Sequence, residues 1–358
     1  MEKWIYWIEE LGKEYNDIVG KKCANLGELA KAGFPTPPGF ALSLEAYKRF
    51  MRETGAREEI IRYTSSFSAD PDDPQELPKY KQLRDVLRRI VEVKAMPADM
   101  EETIRAYYTE LCKKTGLADV NVAVRSAGPT SHPGQYETYL HVKGADNVIK
   151  HIIKVWSSTF NRRSIVARVR QKLPIHSDPI GVAVLKMVDA RTAGVMFTLN
   201  PANGDTSQIV IDGCWGLGEG VVSGSTAVDQ WIINKVTLEI VEKKVVEKKV
   251  HYELDQKSGA PAYIEVPPEK QNIPCMSDEE AIRLAEIGKG VERHFGVPQD
   301  IEWAIDKTLS FPDSIVLLQA RPEKTFARIK SKSVAEGCTS ALDYMSRFAK
   351  TPVRYDRR

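Results

Sequence analysis

Two short polar segments near the carboxyl-terminal end of the sequence carry residue types that bind a metal ion and phosphate. They cover residues 300–306 and 317–322, and both alternate polar with apolar residues. This alternation predicts two strands that place Glu302, Gln319 and Arg321 close together. Carboxylate and amide oxygens suit Mg²⁺, and an arginine beside them is typical of a phosphate clamp. The alternative is a cross-strand ion pair on an exposed sheet.

Three upstream segments favour the phosphate-binding interpretation. Lys22 lies on a turn entering a predicted helix, where backbone N–H groups favour anions, although a surface turn is an alternative. Arg125 ends a predicted buried strand and needs an anionic partner there. The loop at 126–134 is dense in Gly, Pro, Ser and Thr, and the glycines of 215–224 allow the backbone to approach a ligand closely.

Length, charge and cysteine content narrow the class of protein. The 358 residues suit one large domain or two to three packed lobes. The net charge of +2 gives no electrostatic case for nucleic acid as a partner. Five scattered cysteines argue against a disulfide framework or a zinc site and fit a reducing compartment. No apolar run approaches the roughly 18 residues of a membrane span, so we expect a soluble, cytoplasmic protein without a membrane partner.

The periodicity of apolar residues predicts helices in the first half of the chain and strands in the second, which makes the fold class α+β. Ser277 and Glu280 form a predicted capping box, and Gly296 is predicted to end that helix. The near-duplicated charged stretch at 238–254 predicts a hairpin or ribbon. Predicted helices are 24–31, 44–53, 78–93, 98–114, 148–171 and 277–296. Predicted strands are 4–8, 120–125, 182–188, 193–198, 209–211 and 231–233.

In combination, these segments resemble the ATP-binding region of the phosphoenolpyruvate synthase and pyruvate phosphate dikinase family. That family shows V-G-G-K-G-A-N-L-G-E, V-R-S-S, G-Q-x-E-T-Y-L, S-G-V-M-F-T, W-G-L-G-E-x-V-V-x-G, D-I-E-W-A and L-Q-x-R-P, and the matches here run in the same order from Val19 to Pro322. The resemblance implies an ATP-grasp-like fold whose lobes close on ATP. The expected divisions are a first lobe at 1–185, a second at 186–326 and a tail at 327–358 that could dock a partner.

The resemblance also implies roles for individual residues. Lys22, Arg125 and Arg321 match the phosphate-binding cations that act in catalysis, and Glu302 and Gln319 match the Mg²⁺ ligands. Five further positions are expected to contact the nucleotide. They are Gly134, Gln135, Lys186, Val188 and Glu219.

Two departures from the family pattern affect the site. Lys21 and Cys23 replace two glycines of the first motif, and the loop at 126–134 is shorter than usual and lacks an acidic pair. Lys186 stands where the family usually has glutamine.

The sequence lacks the T-x-G-G-x-x-[CS]-H-x-A pattern of the phosphorylated histidine. We therefore expect that the chain either is a fragment or works with a separate subunit, which would carry that histidine and the acceptor site as in the phenylphosphate synthases that the compact S-H-P-G-Q loop resembles. In that case Mg·ATP donates its β-phosphoryl group, AMP and phosphate are released, and phenol is phosphorylated. Alternatives are the ATP-binding part of a split phosphoenolpyruvate synthase or antibiotic phosphotransferase, a non-catalytic nucleotide-binding regulatory module, or a structural scaffold.

Overall fold

The computed structural model describes residues 3–129, 136–176, 178–255 and 259–323. The helices are α1 (Asn16–Val19), α2 (Lys21–Lys31), α3 (Leu44–Glu53), α4 (Ala56–Thr64), α5 (Leu77–Glu92), α6 (Ala98–Thr115), α7 (Ala145–Ser157), α8 (Arg162–Arg170), α9 (Glu219–Val222), α10 (Pro268–Gln271) and α11 (Asp278–Phe295). The strands are β1 (Ile5–Trp7), β2 (Gly39–Leu42), β3 (Val122–Ala127), β4 (Thr138–Val142), β5 (Gly181–Lys186), β6 (Ala190–Phe197), β7 (Gln208–Trp215), β8 (Asp229–Asn234), β9 (Ile240–Lys244), β10 (Val250–Leu254), β11 (Pro261–Glu265), β12 (Gln299–Asp306) and β13 (Ile315–Pro322).

The first lobe is an antiparallel sheet in the order β1-β2-β5-β3-β4 covered by helices. The stripe predicted from Ile152 to Phe160 is buried in its core, where the Trp156 ring lies 5.0 Å from that of Phe50. The single helix predicted at 148–171 is wrong, because α7 and α8 are separated by a 3₁₀ turn. Hydroxyl groups of Ser158 and Thr159 donate to carbonyls three residues back and compete with continued α-helix.

The second lobe is an antiparallel sheet in the order β13-β12-β6-β7-β8-β9. Its core includes Trp231 and Trp303 and is covered by α11. The predicted capping box of α11 is present, and Gly296 ends that helix in a left-handed conformation. Helix α2 comes before strand β2 of the first sheet in the chain. Its apolar face is nevertheless buried in the core of the second lobe. The first turn of α2 therefore lies at the junction of the two lobes.

The hairpin predicted at 238–254 is wrong in its pairing. Strand β9 pairs with β8 at the edge of the second sheet, whereas β10 pairs with β11 in a separate two-stranded ribbon. Between them, Lys248 is fully buried, and its ammonium lies 2.7 Å from the Asp229 carboxylate. This buried ion pair holds the connecting segment against the start of β8 and so separates the two strands.

The mixture of helices and antiparallel sheets confirms the predicted α+β class, and the two lobes agree with the expected ATP-grasp-like fold. The chain passes from the first sheet to the second between Lys186 and Ala190; the domain boundaries themselves stay a prediction, and the tail at 327–358 lies outside the described residues. The four described cysteines are buried and free. No helix in the described ranges combines the length and apolar composition needed to cross a membrane.

Candidate functional site

Strands β12 and β13 place the predicted metal-binding and phosphate-binding side chains side by side. Glu302 lies opposite Gln319, and Asp300 lies opposite Arg321. Directly opposed residues of an antiparallel pair share one face of the sheet. The Gln319 side-chain amide donates from Nε2 to Glu302 Oε1 over 2.9 Å. The sequence-based prediction of two strands with these polar groups together is therefore confirmed.

Arg125 connects this hairpin to the first sheet. Its Nη2 donates to Gln319 Oε1 over 2.9 Å and lies 3.8 Å from Glu302 Oε2, and its Nη1 donates to the Leu318 carbonyl over 3.4 Å. The register of β12 and β13 shifts beside Glu302, where Leu318 is the extra residue of a β-bulge. The bulge brings the Leu318 carbonyl to the same guanidinium that contacts the Gln319 side chain.

Lys22 is brought to this group by the seating of α2 against the end of β3. Gly20 precedes the helix with φ 85°, and a Cβ atom there would lie 2.1 Å from the Ala127 carbonyl oxygen. Glycine is required at this position because both the left-handed φ and the contact exclude a side chain. The Lys21 N–H donates to the Gly128 carbonyl over 3.0 Å. Lys22 is thereby fixed in the first turn of α2.

The surroundings of Lys22 make its ammonium group easy to deprotonate. Burial, together with the charges of Arg125 and Arg321, lowers the Lys22 pKa to about 8, and the charge of Glu302 acts in the opposite sense. Within the described ranges, no carboxylate forms an ion pair with Lys22 Nζ. Three cations that repel one another while only partly neutralised form a site for a polyanion, since bound phosphate relieves the repulsion.

Asp300, which was not predicted to be a site residue, pairs with Arg321. Asp300 Oδ2 lies 2.7 Å from Arg321 Nη2 and 2.8 Å from its Nε. Burial raises the Asp300 pKa, and the Arg321 charge opposes that rise. Because Asp300 accepts a hydrogen bond from Arg321 Nε and forms an ion pair with Nη2 of the same guanidinium, it fixes the orientation of Arg321 at the edge of the site. Asp300 is two residues before Glu302 in β12, so the alternation of the strand puts both on the same face. This alternation was the feature of the sequence from which Asp300 could have been predicted.

The donor set fits a magnesium ion bound together with phosphate. Glu302 offers a carboxylate and Gln319 an amide oxygen, and Mg²⁺ usually takes one or two such ligands plus waters and substrate phosphates. No cluster of three or more His, Cys, Asp and Glu side chains suited to a metal occurs among the described residues, so a site built wholly from such side chains is absent there. The Arg125 Nε is buried without a hydrogen-bond partner in the described part of the chain, which leaves one guanidinium N–H for a phosphate oxygen.

An apolar cluster adjoins the polar group. Val188, in the connection between the sheets, packs with side chains from β6, β12 and β13, and the partly buried Leu318 contacts this cluster. Lys186, at the end of β5, is half-buried, and its backbone N–H donates to the Pro38 carbonyl. The structure thus places Val188 and Lys186 at the lobe connection, and their expected contact with the nucleotide stays a prediction.

Glu219 and two loop residues stand apart from this group. Glu219 is exposed at the start of α9, and its charge acts on Tyr252 and Tyr263 of the ribbon. Its side chain forms no ion pair within the part of the chain that the structure describes. Gly134 and Gln135 lie outside the described residues. The structure therefore brings together Lys22, Arg125, Glu302, Gln319 and Arg321.

An α+β architecture with converging cations and magnesium-type ligands between two sheets defines a class of phosphate-binding, nucleotide-dependent proteins. The comparison with protein families gives the particular family. The family model described as "Pyruvate phosphate dikinase, AMP/ATP-binding domain" matches residues 16–341. The chain belongs to this family of ATP-binding domains.

Curated relatives agree with that assignment. The chain is 38% identical over 362 residues to the probable phosphoenolpyruvate synthase of Staphylothermus marinus, covering 94% of this chain and 43% of the relative. It is 38% identical to the probable phosphoenolpyruvate synthase of Methanocaldococcus jannaschii, covering 93% and 28%. It is 36% identical to the phosphoenolpyruvate synthase of Aeropyrum pernix, covering 93% and 44%. The chain thus spans less than half the length of these relatives.

Among solved structures, the L-amino acid ligase of Bacillus licheniformis matches 82% of this chain and 60% of its own. The identity is 11% and the TM-score 0.27. A likeness this weak has no bearing on fold or function.

Proposed function

We propose that the chain binds Mg·ATP between its two sheets and presents the β-phosphorus to a histidine on a partner polypeptide or further domain. The observation that carries this proposal is the contact of Arg125 with Gln319 and Glu302 across the lobes, with Lys22 and Arg321 beside it. Cations from both lobes can then hold one triphosphate. Membership in a family of AMP/ATP-binding domains supports the same ligand.

In the proposed reaction, this chain's residues position the nucleotide and neutralise its charge. Lys22, Arg125 and Arg321 hold the phosphates, while Glu302 and Gln319 would hold Mg²⁺, which neutralises phosphate charge when bound. The accepting histidine nitrogen bonds to the β-phosphorus and the bond to AMP breaks. Water then takes the terminal phosphoryl group from the pyrophosphorylated histidine, which leaves phosphohistidine and inorganic phosphate. The products on the nucleotide side are AMP and phosphate.

Two acceptors for the phosphoryl group are proposed, one from a resemblance in the sequence and one from the relatives. The compact loop resembles that of phenylphosphate synthases, which favours phenol. The relatives are phosphoenolpyruvate synthases, which favours the synthesis of phosphoenolpyruvate from pyruvate. Both acceptors are compatible with the same nucleotide chemistry because the three cations and the magnesium ligands act on ATP alone.

The proposal is tested with ATP labelled at either the β- or the γ-phosphorus, mixed with this chain and candidate histidine-bearing proteins. We expect label from the β-position to remain on the partner and label from the γ-position to appear as phosphate. Addition of pyruvate or phenol then shows which acceptor removes the label. Release of ADP, or absence of Mg·ATP binding to the chain by calorimetry, would contradict the proposal. Nucleotide binding without label transfer to any partner would instead support a regulatory module.

A further inference from the structure

The side chain of Asn25 joins the helix of Lys22 to the strand of Gln319 and Arg321. Asn25 lies one turn after Lys22 in α2 and is only 9% exposed. Its Nδ2 donates to the Ala320 carbonyl over 3.0 Å. Ala320 stands between the two functional residues of β13, so this hydrogen bond ends within one residue of each of them.

Strand β13 needs such a partner because it forms an edge of the second sheet. An edge strand turns alternate backbone groups away from its neighbour, and those groups must find other partners when buried. The Ala320 carbonyl accepts from Asn25, the Leu318 carbonyl accepts from Arg125, and the Leu317 N–H donates to the Pro35 carbonyl. The edge of the second sheet is therefore completed by residues that precede that sheet in the chain.

Helix α2 is thus anchored to each lobe, on either side of Lys22. At Lys21, the backbone N–H binds the Gly128 carbonyl just beyond β3, and at Asn25 the side chain binds β13. The apolar side chains of α2 also pack in the second core, but apolar packing is non-directional and a hydrogen bond fixes distance and angle.

We propose that Asn25 is a positioning residue that fixes the distance between Lys22 and the pair Gln319 and Arg321, so that the three side chains fit one triphosphate. The inference rests on the proposed function, since it assigns to Asn25 a role in binding the same ligand. Asn25 acts through Lys22 and does not touch the phosphates.

The test compares Asn25→Ala with Asn200→Ala. Asn200 is a fair control because it is 8% exposed and its amide also donates one hydrogen bond, to Gln208 Oε1 over 2.7 Å. We expect Asn25→Ala to weaken Mg·ATP binding about tenfold and to leave adenosine binding within about twofold, because the phosphate contacts alone are disturbed. Asn200→Ala should leave both affinities within about twofold. Asn25→Ser, whose hydroxyl is too short to reach Ala320, is expected to behave like Asn25→Ala and serves if the latter does not fold.

A double-mutant cycle separates positioning from a general loss of structure. In a Lys22→Met background, Asn25→Ala should cause no further loss of ATP affinity. An unchanged affinity in Asn25→Ala, or a tenfold loss that persists in full without Lys22, would overturn the inference.

Hydrogen exchange without nucleotide keeps this inference distinct from the proposed function. Asn25→Ala should speed amide exchange in α2 and β13, whereas Asn200→Ala should speed it around residues 200–208. Failure of the wild-type chain to bind ATP would contradict the proposed function. If the amides of α2 and β13 exchange at the same rate in Asn25→Ala as in Asn200→Ala, Asn25 does not hold α2 against β13, and the inference is contradicted.

Discussion

Arg125 in the first sheet donates a hydrogen bond from Nη2 to Oε1 of Gln319 in the second sheet, over 2.9 Å. The two residues are separated by almost 200 positions in the sequence, and the Arg125 side chain is 16% exposed. The Arg125 side chain therefore links the two sheets at the point where the proposed metal ligands and the proposed phosphate-binding cations meet.

Arg125→Lys tests whether the shape of the guanidinium matters as well as its charge. A single ammonium cannot reproduce contacts to both Gln319 Oε1 and the Leu318 carbonyl. We expect the affinity for Mg·ATP, measured by calorimetry, to fall about tenfold, the effect of losing about 1.4 kcal/mol of charge-assisted hydrogen bonding. Arg163→Lys, at an exposed position of α8, is the control and should bind ATP normally. If the Arg125→Lys variant binds Mg·ATP with wild-type affinity, the guanidinium of Arg125 is not needed for binding and the prediction is wrong.

The lowered pKa of Lys22 predicts a pH dependence of ATP binding. The ammonium is charged below its pKa of about 8 and neutral above it, and only the charged form attracts phosphate. Affinity should therefore fall as the pH rises from 7 to 9.5. Lys22→Met should bind ATP weakly and without this dependence, whereas Lys31→Met, at the other end of α2, should retain it. A flat profile in the wild-type chain would contradict the prediction.

The Lys22 ammonium should also lower the free energy of unfolding when no nucleotide is bound. A lysine pKa of about 8 in the folded state lies below the ordinary 10.5, so the unfolded state binds more protons between these values and stability rises with pH across that window. At pH 7 the penalty is fully present. We expect Lys22→Met to raise the free energy of unfolding by about 2 kcal/mol at pH 7, because each pKa unit is worth about 1.4 kcal/mol and partial exposure reduces the total. Urea unfolding measures this free energy. A Lys22→Met chain that is less stable than the wild type would contradict the prediction.

Glu302→Gln tests the magnesium ligands. The change keeps the shape and removes the charge that attracts the cation, so ATP binding in Mg²⁺ should fall to the level measured in EDTA. Transfer of label to a histidine partner should drop at least about 100-fold, as for loss of other charge-stabilising groups in catalysis. Glu242→Gln, on the exposed edge strand β9, should behave as wild type. If Glu302→Gln still responds to Mg²⁺ as the wild type does, the metal ligands lie elsewhere.

Lys248→Met tests the buried ion pair that separates β9 from β10. Both Lys248 and Asp229 have 0% side-chain exposure, and removing one partner leaves an uncompensated charge. We expect a loss of about 3–5 kcal/mol in the free energy of unfolding. The pair Lys307–Asp189 is about half exposed, so Lys307→Met should cost less than about 1 kcal/mol. Equal effects of the two changes in urea unfolding would contradict the prediction.

The sequence predicted the two strands of the candidate site well because their pairing depends on local alternation, whereas the chemical roles of their side chains stay a prediction. Strands β12 and β13 follow the period-two pattern, and the opposition of Glu302 to Gln319 follows from it. The helix predicted at 44–53 coincides with α3, and those predicted at 78–93 and 98–114 differ by one residue at their ends. The capping box at Ser277 and Glu280 fixed the start of α11 by a local hydrogen-bond pattern.

Features that depend on distant partners were missed. Helix α2 begins at Lys21 and not at residue 24, because Gly20 is fitted against Ala127 of a later strand. Helix α4 and strands β2, β4 and β11 were not predicted, and each is short. Asn25 escaped notice because its partner is a backbone carbonyl 295 residues away, and no periodicity in the sequence indicates such a contact.

The completion of β13 by Asn25, Arg125 and Pro35 has a consequence for solubility. An edge strand with unpaired carbonyl and N–H groups can pair with strands of other molecules. In this chain, some of the groups that prevent such pairing also belong to the proposed nucleotide-binding site. Substitutions that loosen the ligand cleft should therefore also promote self-association, so that aggregation on heating becomes an indirect gauge of how well the cleft is assembled.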